Sequence, residues 1–553
     1  MGSIGTDNQK YSNDSSISNE HLDPVGYVEH IDAQDSFDSV LNSDLKTALK
    51  NSSILFIGTI IDAVLGLICT ILIARFFSVG DYGIYSLTVF LVVFVHGIAG
   101  NGIHEANSRY VAYYRGKNDN PKIWGIVKTS FVLVTASSII FTVGLFLLAD
   151  VIAISVFNIP ELSIVFRIFI LSIPFWTITN FIISTFRGYE NVKPKVYFTF
   201  LSVQIIKVIL FLYVIISGLS LEYVFWSFFA AVAITFFIAL GYFYLEFYQR
   251  LAVKSSSPWF FREIFSFAWP LLFSGLAWFL ISGTDKIMLG ILTTELEIGY
   301  YNAATPIARY LIFFYTIIVF VFQPIASRLY GENKLDELKT NYHVLTKWLL
   351  TIAFPFILVL LLFPETVISI LYGSKYVIAS TALQLMTIGI TVFLVLSLSR
   401  EVLTILGKTR IIFYFTIFGS VVNVILNLFL IPIYGITGAA IATMITFIFI
   451  NGLIGYYLFR QTGIHPFRRN FLMPLGLSLA LLVILYSIVQ FFELQSLPLL
   501  IKIIISIILS LSYFFIILKT ESYDKEDIQL FNYIDKKLGF RLGFLRKIIK
   551  KLL

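Results

Sequence analysis

The chain has 553 residues, of which 58 % are hydrophobic and only 13 % are charged, and its formal net charge is +7. A soluble domain usually carries about 25 % charged residues, so this composition excludes a protein that folds in water around one core. The mean hydropathy of +0.86 instead predicts an all-α integral membrane protein, because apolar stretches of the roughly 20 residues that span a bilayer recur along the chain. The single cysteine, Cys69, excludes internal disulfides and CxxC metal motifs.

The first 45 residues differ in composition from everything that follows. They contain nine acidic residues and one lysine, so the rest of the chain carries a net charge of +15. The segment lacks the basic and apolar regions of a signal peptide, and we predict that residues 1–45 form a disordered acidic cytoplasmic tail. We attribute the basic remainder to loops that face an inside-negative cell and anionic lipid, and not to nucleic-acid binding.

Apolar stretches between charged, proline or glycine residues predict about fourteen transmembrane helices. They lie near 51–75, 83–105, 123–149, 160–185, 195–217, 221–248, 263–291, 298–325, 341–363, 378–406, 410–433, 436–459, 470–492 and 497–518. Loops after even-numbered spans hold nearly all the positive charge, whereas loops after odd-numbered spans hold acids such as Asp150 and Glu365. The positive-inside rule therefore predicts that both termini are cytoplasmic.

The sequence also repeats itself at an offset of about 216 residues. YGIYSLTVFL from Tyr82 matches IGYYNAATPI from Ile298, and an offset of six spans keeps the orientation of each helix, so we predict two parallel six-helix repeats. The amphipathic C-terminal tail could lie on the membrane surface or bind a partner. The predicted divisions are an N-terminal six-helix lobe at 46–250, a C-terminal six-helix lobe at 251–462, transmembrane helices 13 and 14 at 463–519, and a basic amphipathic cytoplasmic tail at 520–553.

Five motifs follow one another along these spans: GDYGIYSL (80–87), RGYENVKPK (187–195), TDKIMLG (284–290), IGYYNAATPI (298–307) and NVILNLFLIPIYGITGAAIATMIT (423–446). Together they resemble the polysaccharide-transporter branch of the multidrug/oligosaccharidyl-lipid/polysaccharide (MOP) superfamily over residues 45–519. The resemblance implies two MATE-like lobes around a central cavity that works by alternating access. It also implies a flippase whose substrate is a polyprenyl lipid bearing a phosphate or diphosphate and a short glycan, in the cytoplasmic membrane.

A glycan headgroup cannot cross hydrocarbon unaided, because its hydroxyls and phosphate charge lose their hydration there. The protein must therefore provide a polar cavity, and ionisable side chains within the spans are the natural candidates for lining it. The candidate substrate-binding residues are Lys207, Lys286, Arg309, Arg400, Asp285, Asp62, Arg167, Arg75 and Gln323. We expect Lys207, Lys286 and Arg309 to face the cavity. Each cation could instead pair internally or reach the membrane interface, as we expect of Arg75 and Arg167.

Two pairs of opposite charges are adjacent in sequence. Asp285 cannot neutralise Lys286, and Arg400 cannot neutralise Glu401, because neighbouring residues of a helix point about 100° apart. The surplus of cations suits an anionic substrate, since arginine can hold a phosphate with two parallel charge-assisted hydrogen bonds.

The residues alone leave two alternative functions to consider. A cation-coupled drug or metabolite exporter of the same superfamily would bind organic cations through acidic residues, whereas the candidates here are mainly basic. A membrane glycosyltransferase or glycan ligase would need a catalytic loop, but the outer loops are short and contain no metal cluster or nucleophile triad. We therefore predict a transporter with no catalytic site, no metal and no cofactor. Its predicted partners are the lipid-linked oligosaccharide, membrane lipids and glycan-assembly proteins.

Overall fold

The part of the chain that the structure describes is built from helices. The computed structural model describes residues 33–248, 257–467, 469–491 and 497–519, and every regular element within these ranges is helical. The helices are α1 (Ala33–Phe76), α2 (Val79–Gly116), α3 (Asn120–Asp150), α4 (Glu161–Ile170), α5 (Ser172–Gly188), α6 (Val203–Ile216), α7 (Leu221–Phe243), α8 (Phe261–Leu292), α9 (Glu295–Arg309), α10 (Ile312–Gly331), α11 (Leu335–Leu362), α12 (Pro364–Tyr372), α13 (Ser380–Ile405), α14 (Thr409–Thr462), α15 (Arg469–Phe491) and α16 (Leu499–Lys519). Shorter helical turns are Val151–Val156, Lys193–Lys195, Val196–Ser202, Tyr244–Tyr248 and Ser374–Ala379.

The two predicted tails fall largely beyond these ranges. Most of the acidic tail at 1–45 and all of the basic tail at 520–553 lie outside the described residues, so both remain predictions. The first helix begins at Ala33, inside the predicted acidic tail. Packing separates residues 1–53 from 54–553 as two compact units, and the contacts described below belong to the second unit.

The prediction of a multi-pass helical membrane protein is confirmed. Ten helical stretches of the described residues are long and apolar enough to cross a membrane. One of them, Thr409–Thr462, is 54 residues long and contains two predicted spans, which are separated by the non-helical backbone of Gly435. The ten stretches thus account for eleven of the fourteen predicted spans. Helices α8, α15 and α16 correspond to the remaining three, at 263–291, 470–492 and 497–518.

Large apolar side chains cover much of the outside of the bundle. Ile216 is 83 % exposed, Leu147 is 73 % exposed and Phe429 is 70 % exposed. Apolar surface of this extent is unfavourable in water and suits contact with lipid. Polar side chains lie inside instead, and the fully buried Asn107 donates to the hydroxyl of Ser184 at 2.9 Å. Hydrogen bonds of this kind join helices within a membrane.

Two predicted spans are each broken into two helices. The span at 160–185 divides into α4 and α5 at Leu171, and the span at 298–325 divides into α9 and α10. Pro174 and Pro306 lie within one turn of these breaks, and a proline has no amide hydrogen to continue the helical hydrogen bonds. Each break lets the chain change direction inside the bundle.

Helix α2 is at the centre of the packing. It contacts α3, α4 and α5 of the first half of the chain and α8 and α9 of the second half. In the second half α13 packs along α14, and α11 contacts α10, α13, α15 and α16. Helices α8, α9, α10, α13 and α14 thus share an interior, and the candidate site lies there.

Candidate functional site

A cavity of about 360 Å³ lies within the second half of the bundle, and we call it the C-terminal cavity. Helices α8, α9, α10 and α13 and both arms of α14 contribute to its wall. The wall combines charged groups, hydroxyls, amides and aromatic rings from Asp285, Arg309, Ile312, Tyr315, Phe393, Arg400, Thr416, Ser420, Asn423, Thr443, Thr446, Phe447, Ile450 and Asn451. Polar and ionisable groups inside a membrane protein are costly, and they generally mark a functional site.

The break between α9 and α10 places Arg309 in the cavity wall. Helix α9 ends at Arg309 and α10 begins at Ile312. At the break the amide of Tyr310 donates to the carbonyls of Pro306 and Ile307 at 3.1 and 3.3 Å. The C-terminus of a helix carries partial negative charge and favours a cation. The end of α9 therefore stabilises the guanidinium of Arg309 inside the membrane.

A second break, in α14, lets both arms of that helix line the cavity. Gly435 has φ 54° and ψ −131°, a backbone conformation that strongly favours glycine. A Cβ at this position would lie 2.7 Å from Oε2 of Glu297, and the same oxygen accepts the amide of Ile436 at 2.9 Å. The carboxylate of Glu297 thus caps the first turn of the second arm and fixes its start against α9.

Three neutral donors satisfy the carboxylate of Asp285. The amide of Asn427 donates to Oδ1 at 2.8 Å. The hydroxyls of Tyr301 and Thr443 donate to Oδ2 at 2.6 and 2.5 Å. Asn427 also donates to the amide oxygen of Asn423 at 3.1 Å. This network joins α8 to α9 and to both arms of α14, and its three hydrogen bonds stabilise the carboxylate.

Arg400 retains donor capacity for a ligand. Its Nη2 donates to the hydroxyl of Thr416 at 3.0 Å, whereas its buried Nε has no hydrogen-bond partner within the part of the chain that the structure describes. The adjacent Glu401 faces other groups, because it accepts the hydroxyl of Tyr315 at 2.6 Å and the amide of Gln323 at 3.0 Å. A buried donor without a partner is unfavourable, so the neighbours of Arg400 leave part of its hydrogen-bonding capacity unused, and the side chain lines the cavity.

The ionisable groups of the cavity wall make it electropositive. Arg309 and Arg400 contribute two positive charges, and Asp285 contributes one negative charge that its own donors already stabilise. Electrostatic attraction is stronger where the dielectric constant is low, so the cavity favours an anion. The amides of Asn423 and Asn451 and the nearby hydroxyls can also form hydrogen bonds with a polyhydroxylated ligand.

The structure brings three of the nine candidate residues into the C-terminal cavity, namely Asp285, Arg309 and Arg400. Gln323 lies beside it and contacts Glu401, as described above. Lys286 lies on another face of α8, where its Nζ donates to the hydroxyl of Ser86 on α2 at 3.3 Å.

Two further candidates lie in the first half of the bundle. Asp62 accepts the amide of Gln204 at 2.6 Å. Lys207 is buried, with its Nζ 4.9 Å from the centroid of the Phe228 ring. These residues are therefore placed apart from the C-terminal cavity, and a role for them in substrate binding stays a prediction.

The last two candidates lie at helix ends. Arg167 forms an ion pair with Asp150 at 2.6 Å. Arg75 donates from Nε to the carbonyl of Leu371 at 2.9 Å and from Nη2 to the carbonyl of Ile370. Neither guanidinium lines the C-terminal cavity.

Sequence reasoning missed the hydroxyl groups of the cavity wall. Thr416, Ser420, Asn423 and Asn427 recur every three or four residues along α14, a spacing that places them on one face of a helix. A row of polar residues along one face of an otherwise apolar helix predicts that this face lines a polar interior. Thr443 and Thr446 lie one turn apart in the second arm of α14 and also line the cavity, but no sequence signal points to the bond between Thr443 and Asp285.

The profile of the family described as polysaccharide biosynthesis protein matches residues 48–330, slightly more than half of the chain. The profile described as MatE matches residues 270–430. The chain belongs to the polysaccharide biosynthesis protein family. It is therefore a member of the MOP superfamily, and the resemblance inferred from the five sequence motifs is confirmed.

Two curated relatives are archaeal membrane proteins. The probable low-salt glycan biosynthesis flippase Agl15 of Haloferax volcanii is 24 % identical over 247 residues, which cover 44 % of this chain and 50 % of that protein. An uncharacterised membrane protein of Methanocaldococcus jannaschii is 29 % identical over 209 residues, which cover 36 % of this chain and 41 % of that protein. This member of the family thus spans half or less of the length of these relatives.

Solved transporter structures share the fold. The lipid II flippase MurJ in an inward closed conformation has a TM-score of 0.63 and 17 % identity, covering 84 % of this chain and 98 % of that one. An inward-facing multidrug resistance transporter of the MATE family has a TM-score of 0.62 and 12 % identity, covering 73 % of this chain and 94 % of that one. At these identities the similarity shows the fold alone.

Proposed function

We propose that this family member is a flippase that moves a polyprenyl-phosphate-linked oligosaccharide across the cytoplasmic membrane by alternating access, for the assembly of surface polysaccharide or glycoprotein. The observation that carries the proposal is the pair of arginines, Arg309 and Arg400, in the wall of the C-terminal cavity. Guanidinium groups match phosphate oxygens in charge and in hydrogen-bond geometry. The membership of the polysaccharide biosynthesis protein family supports the same substrate class.

The dimensions and lining of the cavity suit the phosphorylated headgroup of such a lipid. Its volume of about 360 Å³ falls within the range of ligand sites, roughly 300–1,000 Å³. The phosphate would lie against the arginines, and the first sugar would lie against Asn423, Asn451 and the neighbouring hydroxyls. The polyprenyl chain is apolar and can stay in the bilayer during transport, so the protein needs to enclose only the headgroup.

The membrane potential would favour outward movement. An inside-negative potential of about 100 mV repels a headgroup with two negative charges from the inner side. It lowers the free energy of outward movement by roughly 4–5 kcal/mol, at about 2.3 kcal/mol per charge. This driving force depends on the charge of the headgroup and on the sign of the potential, and not on the orientation of the protein. Transport of this substrate would then need no nucleotide hydrolysis.

Export of organic cations is the alternative that the family leaves open. Such an exporter needs a carboxylate that can face its ligand. Asp285 is the acid in the cavity wall, and both of its oxygens already accept hydrogen bonds from neutral donors. A cation would have to displace these donors and overcome the repulsion of Arg309 and Arg400, so we favour the anionic substrate.

Deletion of the gene tests the proposal, with glycan lipids measured by mass spectrometry. We expect lipid-linked oligosaccharide to accumulate inside the cell and surface glycosylation to fall, because the headgroup no longer reaches the outer leaflet. Complementation with the wild type should reverse both changes, and the double variant Arg309→Gln/Arg400→Gln should not. Arg410→Gln is the matched control, because Arg410 is exposed and does not line the cavity. Unchanged glycan lipids and unchanged surface glycosylation in the deletion strain would refute the proposal.

A further inference from the structure

Helices α2 and α9 meet backbone to backbone at the end of the bundle where both begin. A Cβ on Gly83 would lie 1.9 Å from the carbonyl oxygen of Glu295, and a Cβ on Gly299 would lie 2.2 Å from the carbonyl oxygen of Val79. These distances are far shorter than any van der Waals contact, so a larger residue at either glycine would force the helices apart. Small residues permit such close helix approach in membranes.

The crossing of α2 and α9 is symmetric in sequence. Gly83 and Gly299 are 216 residues apart, and so are Val79 and Glu295. This separation equals the offset of the predicted repeat. Gly83 faces the carbonyl of Glu295, and Gly299 faces the carbonyl of Val79, so the two contacts are equivalent under the repeat. The two halves of the chain meet here through equivalent surfaces, as two subunits do across a two-fold axis.

Two cations cross the same junction in opposite directions. Arg75, at the end of α1, donates to the carbonyls of Ile370 and Leu371 in the last turn of α12. Lys375, just beyond α12, donates to the carbonyl of Phe77, just beyond α1, at 2.5 Å. The last carbonyls of a helix lack partners within the helix, and they favour a cation. Each half of the chain thus caps a helix end of the other half.

Three tyrosines fill the space next to these contacts. Tyr82, Tyr372 and Tyr376 are fully buried, and their ring centroids are 5.7 to 6.1 Å apart. The hydroxyl of Tyr82 on α2 donates to the carbonyl of Asn302 on α9 at 3.3 Å. The tyrosine layer is therefore closed to water, and Arg75 and Lys375 lie at its exposed edge.

We infer that Arg75, Lys375, Gly83 and Gly299 form a gate, the outer latch, which holds the two halves of the chain together on the side that the loop charges predict to be extracytoplasmic. The latch is closed in this structure and must part when the substrate leaves. The inference rests on the proposed alternating-access function, but it concerns a conformational equilibrium that can be measured without substrate.

The chemistry of the latch suits a contact that opens repeatedly. Both cations bond to backbone carbonyls, which water can replace at little cost, and the contacts of Arg75 and Lys375 are exposed at the surface. A buried ion pair would be much harder to separate, because each charge would be left without its partner. Arg75, which the sequence predicts to reach the membrane interface, is therefore a gating residue in this inference.

Spin-label distances between the two halves test the latch. Nitroxides at Ser220→Cys and Glu365→Cys report on opposite sides of the junction, in the background Cys69→Ala, because Cys69 is the single cysteine of the chain and both label sites are exposed. We expect Arg75→Gln and Lys375→Gln each to raise the ratio of open to closed conformers about two- to fivefold, since each removes a charged hydrogen bond that is exposed to water. The variant Arg75→Lys should stay mainly closed, because lysine can still reach a carbonyl.

Arg167→Gln is the matched control for the spin-label experiment. It removes a cation that pairs with Asp150 within the first half of the chain, and we expect it to leave the distance distribution unchanged. Labelling of Asn302→Cys by a membrane-impermeant maleimide in intact cells gives a second measurement, because Asn302 is only 5 % exposed. Labelling should rise in the Arg75→Gln and Lys375→Gln variants. Distances and labelling rates equal to those of the wild type would overturn the latch, whatever the substrate proves to be.

Discussion

Replacement of Arg400 by glutamine should weaken the binding of a phosphorylated lipid and leave the binding of its unphosphorylated analogue unchanged. The side chain of Arg400 lines the C-terminal cavity, and its Nη2 is held by Thr416 at 3.0 Å, so an anionic ligand would gain a charged hydrogen bond from the guanidinium. A hydrogen bond to a charged group contributes about 1.5–3 kcal/mol, which corresponds to a loss of roughly 10- to 100-fold in affinity. Thr416→Val should cause a smaller loss, because it frees the guanidinium without removing its charge.

Calorimetric titration of the full chain in lipid nanodiscs measures the effect of Arg400. Farnesyl diphosphate is the phosphorylated probe and farnesol is the neutral one. Arg410→Gln makes the same change in net charge at an exposed position outside the cavity, and we expect it to bind both probes as the wild type does. If Arg400→Gln binds farnesyl diphosphate with wild-type affinity, the anion site in the C-terminal cavity is wrongly placed.

Three further substitutions test individual contacts through thermal unfolding of the purified protein. Asp285→Ala should lower the free energy of unfolding by about 2 kcal/mol, because it removes an acceptor from three donors, of which Tyr301 and Asn427 are buried; an unchanged midpoint would contradict the network. Gly435→Ala should cost about 1–3 kcal/mol, because its backbone conformation suits glycine and a Cβ would crowd Glu297; wild-type stability would show that the break in α14 is not constrained. Arg167→Ala should change the free energy of unfolding by less than about 1 kcal/mol, since the ion pair with Asp150 is partly exposed; a larger loss would mean that this ion pair stabilises the fold more than an exposed pair does.

The membrane fold can be predicted from the sequence because hydrophobicity and loop charge act locally. Each span shows as a run of apolar residues, and even the break of α14 at Gly435 falls between two predicted spans. The division of the span at 298–325 does not show in this way. Pro306 permits a break, but only packing against neighbouring helices decides that α9 ends at Arg309.

The candidate site is harder to predict, because its contacts join distant parts of the chain. The angle between Asp285 and Lys286 follows from helix geometry, but which of the two faces the cavity depends on how α8 packs. The structure turns Asp285 toward Asn427 and Thr443, which are 142 and 158 residues away, and it turns Lys286 toward α2. Arg309 and Arg400 were predicted from their position within apolar spans, a signal that needs no tertiary information.

The most direct test of the central proposal is the transbilayer movement of a fluorescent polyprenyl-diphosphate oligosaccharide in proteoliposomes that contain the full chain. The wild type should move the lipid faster than protein-free liposomes do, and a potential that is negative on the side of the headgroup should raise the rate further. The Arg309→Gln/Arg400→Gln variant should lose this acceleration, whereas Arg410→Gln should keep it. A wild-type rate equal to that of protein-free liposomes, or a rate that the double substitution leaves unchanged, would contradict the proposal.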